Sequence, residues 1–170
     1  MKTLKFNQTL FDDGFDGNWN KFMKSVNSGS FEKLICVGPL TINSRGTEQC
    51  FYIPDNTHIK GFFMCSSDML LTIGDNVTIE GGVYLSYKEL TTIGKNFHVY
   101  GNVQLQGSLV ERIKSGLMVK GYLNLNNTQI ESLPEDGEVG DFVHLVSTPI
   151  SRRKEELDYY KNIYNIMYRT

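Results

Sequence analysis

The sequence predicts a mainly β protein, a right-handed parallel β-solenoid of five to six coils of about 20 residues with a capping helix at either end. Three observations support this fold class. Apolar residues recur at an interval of 20, turn-forming residues recur at the same interval, and helical patterns flank the repeats. A single coil has too small a core to fold alone, so such an array becomes stable only when neighbouring coils stack.

The apolar repeat is the strongest of these observations. Steps of 20 residues meet an apolar side chain every time, without an insertion, over about 100 residues. The five apolar columns begin at Ile53, Ile59, Phe63, Cys65 and Leu70. Together they predict a continuous core along the solenoid axis.

Short strands are predicted where apolar and polar residues alternate within a coil. Val103-Gln104-Leu105 is a clear example, because alternation with a period of two indicates a strand with one buried face. Equivalent strands lie one above another in successive coils, so their sheet should be parallel. Segments such as Val77-Thr78-Ile79 predict a second sheet.

Three further columns predict bends between the strands. The first favours turns and left-handed backbone and comprises Asn56, Asn76, Asn96, Gly116 and Asp136. The second predicts close approach of successive backbones and comprises Gly61, Gly81, Gly101 and Gly121, with the glycine displaced to Gly140 in the last coil. The third comprises Pro54, Gly74, Gly94 and Pro134.

The segment before the repeats predicts an N-terminal cap over residues 1–33. It contains a short helix over 18–27, because four apolar residues share one helical face: Trp19, Phe22, Met23 and Val26. The solenoid then occupies residues 34–151. Its first coil, 34–42, is degenerate, and Ser44–Gln49 should form an enlarged loop.

The last segment, residues 152–170, predicts a C-terminal cap. A helix over 152–168, which Ser151 would begin, places an apolar stripe against the last coil. The stripe comprises Leu157, Tyr160, Ile163, Tyr164 and Met167. Both caps would cover edge strands that otherwise invite pairing with other chains.

Composition excludes several classes of function. The net charge is -2, from 17 basic and 19 acidic residues, so the chain has no electrostatic footprint for nucleic acid. No apolar run is long enough to cross a membrane, and the N-terminus lacks the features of a signal peptide. Three cysteines without a close pair predict neither a disulfide framework nor a zinc site. We therefore expect a cytoplasmic protein without a cofactor.

No group of residues predicts catalysis or metal binding. His58 and His98 share a repeat column but lie two coils apart, about 10 Å, which is too far for one metal ion. The paired carboxylates at Glu135-Asp136 and Glu155-Glu156 adjoin no candidate nucleophile and no apolar setting that would raise a pKa. We therefore expect that the chain is not an enzyme.

The outward side of the predicted strands is the candidate binding surface. Its two columns contain no Lys, Arg, Asp or Glu, although 21% of the chain is charged. Protein interfaces are similarly poor in charge and rich in aromatic side chains and Met at their centre. Sheet faces in general also favour aromatics and stacked amides, and that alternative stays open. The candidate partner-binding residues are Phe62, Met64, Tyr84, Asn102, Gln104, Tyr122, Asn124, Phe142 and His144.

One coil, from Val119 to Pro134, resembles a known family of repeats. It fits the V-x-G-x-L-x-L-x-x-T-x-I-x-x-L-P variant of the bacterial leucine-rich repeat that is common in bacteriophage and prophage proteins. Thr148-Pro149-Ile150 followed by Arg152 and Arg153 is similar to the way such arrays end. The resemblance covers residues 53–153, about 60% of the chain, and the predicted solenoid is either leucine-rich-repeat-like or a β-helix.

The resemblance implies protein binding. The expected function is that of a phage-encoded module that docks on a host protein, which could be a defence protein, and modulates or inhibits it. The alternative is a structural or self-assembling solenoid, whose copies stack end to end or associate through the strand face.

Overall fold

The computed structural model describes residues 2–15, 18–42, 51–65, 70–86 and 89–168. The N-terminal elements are β1 (Thr3–Phe6), α1 (Gln8–Phe15) and α2 (Trp19–Ser28). The strands of the coils are β2 (Lys33–Cys36), β3 (Leu40–Ile42), β4 (Phe51–Ile53), β5 (Thr57–Ile59), β6 (Phe63–Cys65), β7 (Leu70–Ile73), β8 (Thr78–Ile79), β9 (Val83–Tyr84), β10 (Thr92–Ile93), β11 (His98–Val99), β12 (Val103–Gln104), β13 (Arg112–Ile113), β14 (Met118–Val119), β15 (Leu123–Asn124), β16 (Glu138–Val139) and β17 (Val143–His144). The C-terminal elements are α3 (Pro149–Arg152), α4 (Lys154–Tyr160) and β18 (Ile166–Met167).

These strands form three parallel sheets that run along a solenoid of about six coils. The first sheet has the order β1-β2-β5-β8-β11-β14-β16, the second β3-β6-β9-β12-β15-β17-β18, and the third β4-β7-β10-β13. The predicted mainly β solenoid is thus confirmed, while its right-handed sense stays a prediction. The third sheet was not predicted. Four of the coils contribute a strand to all three sheets, which favours a β-helix over a leucine-rich repeat, whose strands lie on one side only.

The predicted core columns lie inside the solenoid. Strand partners in the middle of the stack are 20 residues apart, as in the series Val83, Val103 and Leu123. The first coil departs from this interval, because β2 and β3 pair with β5 and β6 at a spacing of 23. Every residue of the five columns is buried, except that Val139 is half-buried and the side chain of Leu70 lies outside the described part. A sixth buried column was missed, namely Val77, Phe97 and Leu117.

The corners confirm the predicted left-handed column in its first four members. Asn56, Asn76, Asn96 and Gly116 have φ values of 57°, 58°, 53° and 76°. The three asparagine amides are linked in series: Nδ2 of Asn76 donates to Oδ1 of Asn56 at 3.1 Å, and Nδ2 of Asn96 donates to Oδ1 of Asn76 at 2.8 Å. Asp136 lies in a turn, as predicted, but is not among the described residues with positive φ.

The glycine column is needed because successive coils touch at this corner. A Cβ built on Gly81 would lie 2.6 Å from the backbone nitrogen of Phe62 in the preceding coil. No side chain fits at that distance, so successive coils can stack at this corner only where the residue is glycine.

The N-terminal cap closes each of the three sheets in a different way. Strand β1, which was not predicted, pairs with β2 and so extends the first sheet. The amide of Gln8 takes the place of a strand at the edge of the second sheet: Oε1 accepts the Thr41 N–H at 2.7 Å, and Nε2 donates to the Thr41 carbonyl at 2.9 Å. The indole N–H of Trp19 donates to the Tyr52 carbonyl at 3.0 Å, at the edge of the third sheet.

Helix α2 confirms the N-terminal helix that the sequence predicted. It begins after Asn18, whose side chain accepts the Lys21 N–H. The four predicted apolar residues are all buried against the first coils. The enlarged loop predicted at Ser44–Gln49 lies outside the described residues.

The C-terminal cap differs from the single helix predicted over 152–168. Helix α3 begins one turn earlier, because Thr148 and Ser151 form a capping box and Pro149 occupies the first turn. Helix α4 ends at Tyr160, and the chain then turns back as β18, which pairs with β17. The apolar spacing predicted one long helix because Leu157, Tyr160 and Tyr164 are buried, and they are buried even though the helix ends at Tyr160.

Candidate protein-binding surface

The outward side chains of the second sheet form one continuous ladder. Strand pairing places seven residues in register, one from each strand: Thr41, Met64, Tyr84, Gln104, Asn124, His144 and Met167. Beside this ladder lies a column that comprises Phe62, Gly82, Asn102, Tyr122 and Phe142. We call these twelve residues the uncharged face. All nine predicted partner-binding residues belong to it, and Thr41, Gly82 and Met167 are additions.

The outward ladders of the other two sheets contain charges, which makes the uncharged face distinctive within the molecule. The first-sheet ladder runs from Lys5 to Glu138, through Ile35, His58, Thr78, His98 and Met118. The third-sheet ladder contains Tyr52, Thr72, Thr92 and Arg112. A general preference of sheets for uncharged residues would act on all three faces alike, so it does not account for the second sheet.

Aromatic side chains cover the N-terminal end of the uncharged face. Phe62 and Tyr84 meet edge to face, with ring centroids 6.3 Å apart. The Tyr84 ring leans over Gly82, since a Cβ built there would lie 3.0 Å from the tyrosine hydroxyl. Tyr84 nevertheless remains 43% exposed, and Phe62 and Met64 are exposed beside it.

Hydrogen bonds between side chains fix the middle of the face. Gln104 donates from Nε2 to the Tyr122 hydroxyl and accepts at Oε1 from the Asn124 amide, the latter at 3.2 Å. Asn102 Oδ1 accepts the Tyr122 N–H at 3.2 Å. These four residues are half-buried, whereas most rings and both methionines toward the ends of the face are exposed.

The C-terminal end of the face again consists of rings. His144 packs edge to face against Tyr122 at 5.8 Å and against Phe142 at 6.4 Å. Met167 extends this cluster because β18 adds a strand to the sheet, and it is 46% exposed. The sequence could not place Met167 here, since its spacing matched the predicted helix. The only signal was the short Ile166-Met167 segment, too brief to predict a strand.

His58 has a carboxylate partner on the surface beside the first sheet. Nε2 of His58 lies 2.8 Å from Oε1 of Glu80, and the register puts His98 two coils away, as predicted. Among the residues described, no group of three or more His, Cys, Asp or Glu is arranged to hold a metal ion. Cys36 and Cys65 are buried, and burial raises the pKa of the Cys36 thiol to about 11.

A groove of about 720 Å³ follows the corner beside the third sheet. Asp55 and Asp75 line it, but both carboxylates serve the turns: Asp55 accepts the Asp75 N–H, and Asp75 accepts the Lys95 N–H, each at 2.8 Å. The bond from the Lys95 backbone, assisted by the Lys114 ammonium, holds the pKa of Asp75 below its usual range. Both carboxylates therefore stabilise the stacked turns that line the groove.

No family model matches the chain, and the searches of curated proteins and of solved structures found nothing similar to it. Within the part of the chain that the structure describes, no helix has the length and apolar character to cross a bilayer. The molecule thus belongs to the β-solenoids by its fold, and the uncharged face is the feature that sets its second sheet apart.

Proposed function

We propose that this protein is a protein-binding module that docks on another folded protein through the uncharged face and thereby changes the activity of its partner. The single observation that supports this function best is the contrast between the ladders. Seven strands of one sheet present no charged side chain, whereas the ladders of the other two sheets do. Burying a charge in an interface is costly, so a docking surface gains from having none.

The arrangement of side chains supports the same proposal. Exposed rings at both ends offer anchors that become desolvated on binding, and such anchors supply most of the energy of protein interfaces. Tyr84 is the best anchor, because it is exposed, stands on a rigid strand and has both a ring and a hydroxyl. Tyr122 is less available than the sequence predicted, since its hydroxyl accepts a bond from Gln104.

The phage-type repeat pattern favours a host protein as the partner, within the host cytoplasm. This part of the proposal rests on the resemblance of residues 119–134 to repeats of phage proteins. No catalytic residue, metal or cofactor is assigned, because the proposed activity is binding.

Site-specific photo-cross-linking in cells tests the binding surface. A benzophenone amino acid replaces Phe142, which is exposed on the uncharged face, and in a matched variant it replaces Tyr52, which is equally exposed on the third sheet. We expect a discrete adduct with a second polypeptide from position 142 and none from 52. Adducts from both positions alike, or from 52 alone, would remove the support for this face.

An affinity measurement follows once mass spectrometry has identified the adduct. Tyr84→Ala should weaken binding of that partner by about 2 kcal/mol, a factor of roughly 30, and Tyr84→Ala with Tyr122→Ala by at least as much. Tyr52→Ala, at an equally exposed position, should leave the affinity unchanged. Undiminished binding by the double variant would place the interface elsewhere.

End-to-end assembly, the structural alternative, has less support. At the N-terminal end, Gln8 and Trp19 occupy hydrogen-bonding groups that a further coil would need. At the C-terminal end, β18 covers the second sheet, and Arg153 Nη2 donates to the Glu131 carbonyl at 2.6 Å. A self-assembling form would therefore use a side of the solenoid.

A further inference from the structure

We propose that one occupant of the uncharged face is a second copy of this chain, packed face to face about a two-fold axis that runs parallel to the strands, midway between β12 and β15. The proposal rests on the proposed function, since it needs the uncharged face to be the binding surface. It goes further by naming a partner and its orientation.

The order of side chains along the ladder is nearly palindromic. From β6 to β18 it reads Met64, Tyr84, Gln104, Asn124, His144 and Met167. A two-fold axis parallel to the strands reverses the order of the coils and keeps each position along a strand. It therefore brings Met64 opposite Met167 of the second copy, Tyr84 opposite His144, and Gln104 opposite Asn124.

Each of these pairs is chemically matched. Two flexible thioether side chains meet at the rim, and they adapt to irregular gaps. Tyr84 and His144 are both rings, which pack favourably edge to face or offset. Gln104 and Asn124 are amides, and each amide can donate to and accept from the other.

The neighbouring column is compatible with the same axis. Asn102 comes opposite Tyr122 of the second copy, an amide against a phenol. Gly82 comes opposite Phe142, so the exposed Phe142 ring reaches the Tyr84 ring that leans over Gly82. Phe62 meets Asn165 at the rim, where matching matters least.

Charge and area also fit a second copy. The chain has a net charge of -2, yet the face brings no like charges together across the axis. The six strands from β6 to β18 at about 4.8 Å and five positions at about 3.3 Å give a projected area of about 500 Å² per copy. Two such faces bury about 1,000 Å², the lower end for a specific interface, so the dimer should be weak and should dissociate on dilution.

A weak dimer is consistent with docking on a different protein. Self-association keeps the exposed rings covered, and a partner with higher affinity displaces the second copy by mass action. The two partners would therefore compete for the same face.

Sedimentation equilibrium of the full chain, from about 1 μM to about 1 mM, measures this association. We expect the mean mass to rise from one chain toward two. Gln104→Lys should raise the dissociation constant at least about tenfold, because it buries an unpaired charge near the axis. Thr92→Lys, on the outward ladder of the third sheet, is the matched control and should leave the mass unchanged. Thermal melts confirm that each variant folds.

Mixing two variants tests the orientation. Gln104→Lys and Asn124→Glu should each be monomeric alone, and their mixture should restore a dimer, because positions 104 and 124 face each other across the axis. A wild-type chain that stays monomeric throughout, or a dimer insensitive to Gln104→Lys, overturns the proposal. A dimer without rescue in the mixture overturns the axis. If the chain stays monomeric while the Phe142 cross-link to another protein persists, this inference fails and the proposed function stands.

Discussion

Replacing Gln8 by Ala should open the N-terminal edge of the second sheet. The side chain of Gln8 is half-buried and makes both hydrogen bonds with Thr41 that a preceding strand would make, at 2.7 and 2.9 Å. A neutral hydrogen bond contributes about 0.5–1.5 kcal/mol net, so the loss of two should lower the free energy of unfolding by about 1–3 kcal/mol. Because water can reach part of this edge, we expect the lower half of that range.

Hydrogen exchange at the Thr41 amide is the most direct assay. In the native protein Gln8 Oε1 accepts this N–H, so its exchange should be slow, and Gln8→Ala should accelerate it more than the exchange of amides in the middle of the stack. Gln8→Glu is the matched comparison, since it retains an acceptor for the Thr41 N–H. It loses the donor to the Thr41 carbonyl and to Oδ1 of Asp12, so its overall stability should fall while Thr41 stays protected. If Thr41 exchanges at the same rate in all three proteins, the glutamine does not act as a substitute strand.

Three other perturbations test the repeat and its turns. Deletion of residues 76–95 removes one full coil and should leave a protein that unfolds cooperatively in circular dichroism melts, whereas deletion of 76–85 should leave no folded protein; similar melts for both would refute the 20-residue coil. Leu105→Asp should lower the free energy of unfolding, measured by urea titration, by at least about 3 kcal/mol, because Leu105 is 0% exposed. Gln104→Asp should lower it by about 1 kcal/mol, because only outward hydrogen bonds are lost. Equal losses would contradict the assignment of inward and outward positions. The pKa of Asp75 is lowered in the folded protein, so its contribution to stability is present above about pH 4 and is lost as the pH falls through the folded pKa. In thermal melts at decreasing pH, the stability of Asp75→Asn should therefore fall less steeply than that of the wild type. Identical pH profiles would exclude this linkage.

The sequence predicts the middle of the solenoid well, because there each coil repeats the same pattern of inward and outward residues. An apolar residue such as Leu105 has equivalents in the coils above and below, so each inward position is predicted several times over. The left-handed corner at Asn76 was predictable for the same reason. Asn127 and Ser147 form a second left-handed corner together with Gly107, but three different residue types hide it from inspection.

The ends were harder to predict, since a cap occurs only once. Strand β1 and the role of Gln8 depend on contacts between residues about 30 positions apart, with no repeat to indicate them. At the other end, Tyr160 and Tyr164 satisfy a helical pattern even though the helix stops between them. Met167 was consequently missing from the predicted face, although the nine predicted residues lie on one sheet side.

Two modes of association can be separated by combining variants. Gln8→Ala uncovers the edge of β3 and should allow copies to pair end to end, because an unprotected edge strand is a template for another chain. Association through the uncharged face depends instead on Gln104. We therefore expect Gln8→Ala to form species larger than a dimer in sedimentation velocity, and the double variant Gln8→Ala/Gln104→Lys to retain end-to-end pairing while losing the lateral contact. Loss of all association in the double variant would mean that the uncharged face mediates every contact and that the Gln8 amide is not what keeps the ends apart.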